Sequence, residues 1–264
     1  MKADQEKSVS SLPAAQTGRL RVLYPFVGDS VGGSHVSTVE LIDALPRDRI
    51  EPVVLLHRTG PLMQYLRDRH VEFMQCPELP VAEANGSLER AVKVAFSLLR
   101  LVRFLRRNRI DIVHTNDWRM HVTWLFAARA AGAAHVWHQR TKWAPRRFVL
   151  PVRLASRIVV ISEFCRRALP PSLQDRTEII WNPVEVTDPP DTREARGAIR
   201  SELGLPAECR IVAFVGNFSD RKRPETFVEI ASGLAPKQGP DVRFLMFGEA
   251  REPHATAVRR GARL

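Results

Sequence analysis

Arg210–Pro224 reads RIVAFVGNFSDRKRP. Its first half, Ile211–Val215, is a short apolar run that predicts a buried strand. Gly216 ends the run and a basic turn follows. Pro224 stands where proline suits the first position of a helix, predicted over Glu225–Leu234. A strand, a glycine, a lysine-bearing turn and a helix N-terminus together make an anion site. The backbone N–H groups and the helix dipole favour an oxyanion, and Lys222 with Arg221 would add full charges. An ordinary strand–turn–helix with solvated basic side chains fits the same residues.

Working outward, strands and helices alternate along the whole chain. Leu20–Val27 predicts a first strand. The glycine-bearing turn Gly28–Gly33 follows, and then a helix over Ser34–Leu45 with Val36, Val39, Leu41, Ile42 and Leu45 on one face. Strands are predicted at Pro52–His57, Val71–Cys76, Ile110–Asn116, Ala134–Gln139, Arg157–Ser162, Thr177–Trp181 and Val242–Phe247, the last also buried. Helices are predicted at Pro61–Arg69, Leu88–Arg107 with Ser87 as cap, Trp118–Ala131 ended by Gly132, Pro145–Ser156, Glu163–Leu169 and Arg193–Leu203 ended by Gly204. This alternation implies a doubly wound parallel sheet. The Pro- and Asp-rich VTDPPDTREA reads as a domain linker. The expected organisation is a disordered tail over 1–18, a first α/β domain over 19–186 and a second, partial one over 187–264. The second holds just two clear strands and looks cut short.

The 264 residues carry a net charge of +11, and the charge is concentrated. Arg90–Arg109 holds seven basic residues and no acid, and His138–Leu169 holds eight against one acid. Such blocks suggest a polyanionic partner: membrane headgroups, nucleotide phosphates or nucleic acid. Nucleic acid is the weakest of these, since no zinc-finger spacing, RRM signature or aromatic-rich basic strand is present. In Leu88–Arg107, Val92, Ala95, Phe96, Leu99, Val102 and Phe104 or Leu105 form an apolar face. Lys93, Arg100, Arg103 and Arg107 lie opposite. This pattern can place a helix on an anionic membrane surface, but a core-facing helix with a solvated back is the simpler reading. Cys76, Cys165 and Cys209 are widely spaced and odd in number, which suggests a reduced, cytoplasmic chain. No apolar signal segment opens the sequence, and no apolar run reaches membrane-spanning length.

Ligands of open parallel sheets bind outside the carboxyl ends of strands. That rule makes cleft candidates of His114, Asn116 and Asp117 after the fourth strand and of His138 after the fifth. A histidine there can contact a sugar hydroxyl or move a proton, although a lone histidine also serves structure. Gly32 and Gly33, between the first strand and its helix, sit where backbone approaches a ligand or turns tightly. The spacing is not GxGxxG, so a dinucleotide is weakly indicated.

The ordered set VGGS, DIVHTND, VWHQR, RIVVISE, EIIWNPVE, VAFVGNFSDRKRPETFVEIA and VRFLMFGE, from Leu20 to Glu249, resembles the GT-B glycosyltransferases. Within them it is most similar to family 4, the retaining enzymes that use activated sugars. The resemblance implies two Rossmann-like domains, the first for the acceptor and the second for the nucleotide-sugar. By this resemblance Gly32 and Gly33 approach the donor phosphates or reacting sugar, and His138 lies near the transferred sugar. Ser162 and Asn182 border the cleft, and Gly216 and Asn217 lie in the donor loop. Lys222 would neutralise the diphosphate as the glycosidic bond breaks, assisted by Arg221 or Arg223.

Asn217 stands where the family usually carries Arg. The family's paired-glutamate motif would lie beyond Leu264, so impaired turnover of the chain as printed is an expectation. The resemblance implies no bound cofactor or metal. It implies a UDP- or GDP-hexose as co-substrate, and transfer to a lipid-linked or polysaccharide acceptor. The competing reading is a non-catalytic relative that uses its basic surface to hold a membrane or a partner.

Overall fold

The computed structural model describes residues 18–76, 88–142, 149–183, 191–220, 222–238, 241–248 and 254–261. Outside them lie the expected tail (Gly18 apart), the loop and cap over 77–87, the start of the basic helix expected at Pro145, the first half of the linker, and Arg221. The chain divides into two compact units, Met1–Val184 and Glu185–Leu264.

The first unit contains β1 (Leu20–Phe26), α1 (Gly33–Ala44), β2 (Ile50–Leu56), α2 (Pro61–Asp68), β3 (Met74–Gln75), α3 (Leu88–Arg107), β4 (Ile112–Thr115), α4 (Trp118–Ala131), β5 (Ala134–Gln139), α5 (Val149–Arg153), β6 (Arg157–Val160), α6 (Glu163–Arg167), α7 (Pro171–Gln174) and β7 (Thr177–Ile179). All seven strands pair in parallel, in the order β3-β2-β1-β4-β5-β6-β7. This is the doubly wound α/β sheet that the alternation predicts.

Period two in β1 separates two cores. Val22, Tyr24 and Phe26 pack with α1 and α2 through Val39, Ile42, Leu62 and Leu66. Leu23 packs on the other face with Leu101, Leu105 and Trp124 of α3 and α4. A third core joins Trp137 and Ile158 to Val152, Cys165 and Leu173. Helix ends follow local chemistry. Asp117 caps α4 by accepting from Met120 N at 3.1 Å, and Gly132, with φ 85°, closes it in the left-handed region.

Several boundaries differ from expectation. β3 shrinks to two residues at the sheet edge, and β4 and β7 are also shorter than their apolar runs. The larger correction concerns α3. Phe96 and Leu99, expected on the core face, are each 65% exposed, whereas Leu101 and Leu105 are buried. Apolar side chains crowd more than one side of this helix, so periodicity admits more than one seam; its packing against α4 selects Leu101 and Leu105.

The second unit contains α8 (Thr192–Glu202), β8 (Arg210–Val215), α9 (Pro224–Gln238), β9 (Val242–Phe247) and α10 (His254–Gly261). β8 and β9 pair in parallel as a two-stranded sheet. Both were expected to be buried. Val212 and Val215 of β8 are instead 44% and 76% exposed, and β9 is only half-buried. Apolar content predicts burial only where neighbours cover both faces, and among the described residues each of these strands has one strand partner. Phe214 and Phe244 pack on Phe227 of α9. The final basic stretch, to which the sequence reading assigned no element, includes the helix α10.

Candidate functional site

The strand order reverses between β1 and β4, and in open α/β sheets ligands bind at that switch point, outside the strands' carboxyl ends. Several chain segments converge there: the Gly32–Gly33 turn into α1, Asn116 after β4, His138–Arg140 at the end of β5, and Asn182 after β7.

Arg140 ties them together. Its Nε donates to Asn116 Oδ1 at 2.9 Å. Its Nη1 donates to Asn182 Oδ1 at 2.7 Å and to Ser37 Oγ, and its Nη2 to Thr38 Oγ1 at 3.2 Å. All four partners are neutral. The fully buried Arg21 meets Glu51 Oε1 at 2.8 Å, but no carboxylate among the described residues pairs with the half-buried Arg140. Burial lowers the Arg140 pKa to about 10, which leaves it a cation at neutral pH.

His114 and His138 lie against this cation. Nε2 of His114 and Nδ1 of His138 are 3.1 Å apart. Burial first, and then the Arg140 charge, push His114 down to about 3 and His138 to about 2, so both rings are neutral at pH 7. The position of their shared proton decides whether Nε2 of His138 is left as a donor or an acceptor. That Nε2 has no partner, and His138 is 5% exposed; Nδ2 of Asn116, 3% exposed, also has none. A buried orphan of this kind costs about 1–3 kcal/mol and calls for a missing partner.

Behind this pair Thr115 Oγ1 lies 2.6 Å from His121 Nδ1 and 3.0 Å from His135 Nε2, and Trp137 stacks on His121 at 4.1 Å. Trp137 Nε1 donates to Gln139 Oε1 at 3.0 Å, and Gln139 Nε2 donates to the Thr141 carbonyl at 2.9 Å. These bonds hold the strand end that carries Arg140.

The glycines of the first loop differ in kind. Gly28 has φ 102°, and a Cβ there would sit 2.2 Å from the Arg58 carbonyl oxygen, so the turn itself requires glycine. A Cβ on Gly32 would meet only His35 Nδ1, at 3.8 Å, and one on Gly33 would meet nothing within 4 Å. Neither packing nor a positive φ requires glycine at 32 and 33, which leaves open space where a ligand would approach. Asp29, in the same loop, is tied to Arg119 by two bonds of 2.6 and 2.9 Å.

Two expected cleft residues have structural roles. Asp117 caps α4, and Ser162 caps α6 by accepting from Cys165 N at 3.2 Å. No described contact joins either to Arg140. His114, Asn116, His138 and Asn182 do come together. Arg140 and its partners Ser37 and Thr38 were not singled out from the sequence, although a basic residue closing a polar strand end was a usable signal.

In the second unit the aliphatic stem of Lys222 lies over Gly216, its Cδ 3.6 Å from where a Cβ would stand. The Ser219 carbonyl accepts from Lys222 N at 2.8 Å and from Arg223 N at 3.1 Å. Arg223 has φ 54°, a left-handed conformation that costs about 1–2 kcal/mol outside glycine. Gly216, Lys222 and the exposed Asn217 therefore stand at the N-terminus of α9.

The profile of Glycosyltransferase Family 4 matches residues 31–188, more than half of the chain. The chain belongs to glycosyltransferase family 4. Among other proteins, this family 4 chain is 32% identical over 107 residues to the Escherichia coli UDP-Gal:alpha-D-GlcNAc-diphosphoundecaprenol alpha-1,3-galactosyltransferase, an alignment covering 40% of this chain and 26% of that enzyme. Among solved structures it resembles Anabaena Alr3699/HepE in complex with UDP and glucose, with a TM-score of 0.67 at 19% identity over 93% of this chain and 65% of that one. The glycosyltransferase from Rickettsia africae ESF-5 gives 0.66 at 16% identity, over 93% and 64%. These likenesses agree with a GT-B fold. The family 4 chain spans just under two-thirds of the length of those solved structures.

Proposed function

We propose that this family 4 chain serves a retaining glycosyltransferase that moves a hexose from a nucleotide-diphosphate donor, UDP- or GDP-linked, to a lipid-linked or polysaccharide acceptor. The observation that carries the reading lies inside the family-matched segment. At the switch point of the sheet, the neutral pair His114–His138 stands with the open Gly32–Gly33 turn and two buried polar atoms that lack partners. In this reading Gly32 and Gly33 admit the donor closely. His138 Nε2 bonds a hydroxyl of the transferred sugar. Lys222, at the start of α9, takes up negative charge on the departing diphosphate as the anomeric C–O bond breaks. The Escherichia coli relative, named for UDP-Gal and a diphosphoundecaprenol-linked sugar, supports a UDP-sugar and a lipid-diphosphate-linked acceptor.

The test is a donor screen by saturation-transfer NMR, followed by transfer to a synthetic polyprenyl-diphosphate-linked N-acetylglucosamine. One UDP-hexose should bind, Lys222→Ala should weaken it by about tenfold or more, and the product should keep the donor's anomeric configuration. A chain that binds none of the UDP- or GDP-hexoses and transfers none of them overturns the reading.

Peripheral contact with an anionic membrane is part of the same proposal. Phe96 and Leu99 of α3 are exposed beside exposed Arg100, Arg103 and Arg107, which suits insertion of apolar side chains among acidic headgroups. Among the described residues no helix is long and apolar enough to cross a membrane. Cytoplasmic placement belongs with this reading and accords with three free cysteines, Cys76, Cys165 and Cys209.

A further inference from the structure

Arg140 is a half-buried cation held only by neutral groups, and a buried charge requires compensation. A guanidinium has five N–H donors. Nε uses one, Nη1 two and Nη2 one, which leaves one Nη2 N–H unspent. Beside it the Asn116 amide gives its oxygen to Arg140, while its Nδ2, also a donor, is buried without a partner. Ser37 and Thr38, in the second turn of α1, grip Arg140, and the first turn of that helix carries no acidic residue either. Unspent donors thus converge with no acceptor among the described residues, and the four neutral partners orient the guanidinium without cancelling its charge.

We propose that the first unit binds a phosphoryl oxyanion at Arg140 and Asn116, at a site separate from the Lys222 loop, and that this anion belongs to the acceptor. The anion site stands on the geometry alone; assigning it to an acceptor rests on the transferase reading. Arg140 would contribute its free N–H and Asn116 its Nδ2, the charge-assisted pairing that arginine makes with phosphate.

Substituting Asn116→Asp tests the site, because it gives Arg140 the carboxylate it lacks and puts that carboxylate where the anion would sit. Calorimetry of the full chain carrying Lys222→Ala, which disables the donor loop, would use sodium pyrophosphate and farnesyl diphosphate as probes, and a UDP-hexose would be titrated into the same Asn116 and Arg140 variants with Lys222 intact. The parent should bind pyrophosphate and farnesyl diphosphate. Adding Asn116→Asp should weaken both by about tenfold or more, with an unchanged or higher Tm, and Arg140→Gln should weaken them equally. If Asn116→Asp lowers the Tm, the exposed Asn182→Asp brings a carboxylate to Nη1 of the same guanidinium without burying one.

Loss of pyrophosphate and farnesyl diphosphate with the UDP-hexose unaffected supports an acceptor anion. Equal loss of all three supports the site but overturns the acceptor assignment in favour of the donor's diphosphate. A parent that binds no pyrophosphate, or variants that bind it within about twofold of the parent, overturn the site itself. None of these readouts depends on sugar transfer, so the site and the transferase reading fail separately.

Discussion

At the scale of the residue, the structure separates side chains that look alike in the sequence. Gly28 and Gly33 belong to one glycine-bearing turn, but only Gly28 has a left-handed φ and a backbone oxygen where a Cβ would go. Gly28→Ala should destabilise the chain by about 2 kcal/mol or more, read as a lower urea midpoint. Gly33→Ala should leave that midpoint unchanged and weaken donor binding; a destabilised Gly33→Ala would show that the turn, not a ligand, requires this glycine. The acid–arginine pairs divide similarly. Arg21 is nearly fully buried against Glu51, and Glu51→Ala, which strands that charge, should cost about 3 kcal/mol. Asp29 and Arg119 are well exposed, and Asp29→Ala should cost below about 1 kcal/mol in the same urea titration. His114, Asn116 and His138 were legible from their strand-end positions, and Asn182 only through the family resemblance. Arg140 was not, because its importance lies in which distant groups hold it and in the absence of an acid partner among the described residues, and neither is local.

At the scale of the element, α3 is the informative case. Its existence and both boundaries follow from a long helical period, but its orientation does not, because Leu98, Leu99, Leu101, Val102, Phe104 and Leu105 are apolar on several sides. Leu105→Ala should cost about 3 kcal/mol through the cavity left beside Trp124, whereas Leu99→Ala, at an exposed position, should stay within about 0.5 kcal/mol; denaturant melts of the two variants compare them. The exposed face has its own test. Replacing Arg100, Arg103 and Arg107 by Glu should abolish sedimentation with anionic liposomes at low salt, as high salt should for the unaltered chain. Unchanged sedimentation of the triple variant would remove α3 from the membrane proposal. β8 marks the limit of composition, since a run as apolar as RIVAFV is exposed along much of its length when a single strand pairs with it.

At the scale of the whole molecule, the first unit buries a set of neutral histidines. Burial lowers His57 and His135 to about 4 and His114 to about 3, and holds His121 well below its ordinary value. Unfolded, each would titrate near about 6.5. Between that pH and the folded values the unfolded chain binds protons that the folded chain refuses. Stability from this source is therefore complete above about pH 6.5 and falls as the pH drops, by up to about 1.4 kcal/mol per histidine per pH unit. Urea midpoints measured from about pH 7.5 down to 4.5 should decline steadily below 6.5, and a flat profile would contradict neutral burial of these rings.

The alternation of strands and helices, the parallel doubly wound class, the glycines that end α4 and α8 and the lysine loop before α9 were all legible in the sequence itself, whereas Asp117 and Ser162, read there as cleft residues, are helix caps. Periods of 2 and 3.6, turn glycines and capping side chains act within a few residues of one another. What only the tertiary structure decided is which face of α3 meets the core, which glycines the backbone requires, and how Ser37, Thr38, Asn116 and Asn182 close around Arg140 across separations of 103, 102, 24 and 42 residues. Those contacts depend on the reversal of strand order between β1 and β4, which arises when the strands choose their neighbours and leaves no period or motif in the chain.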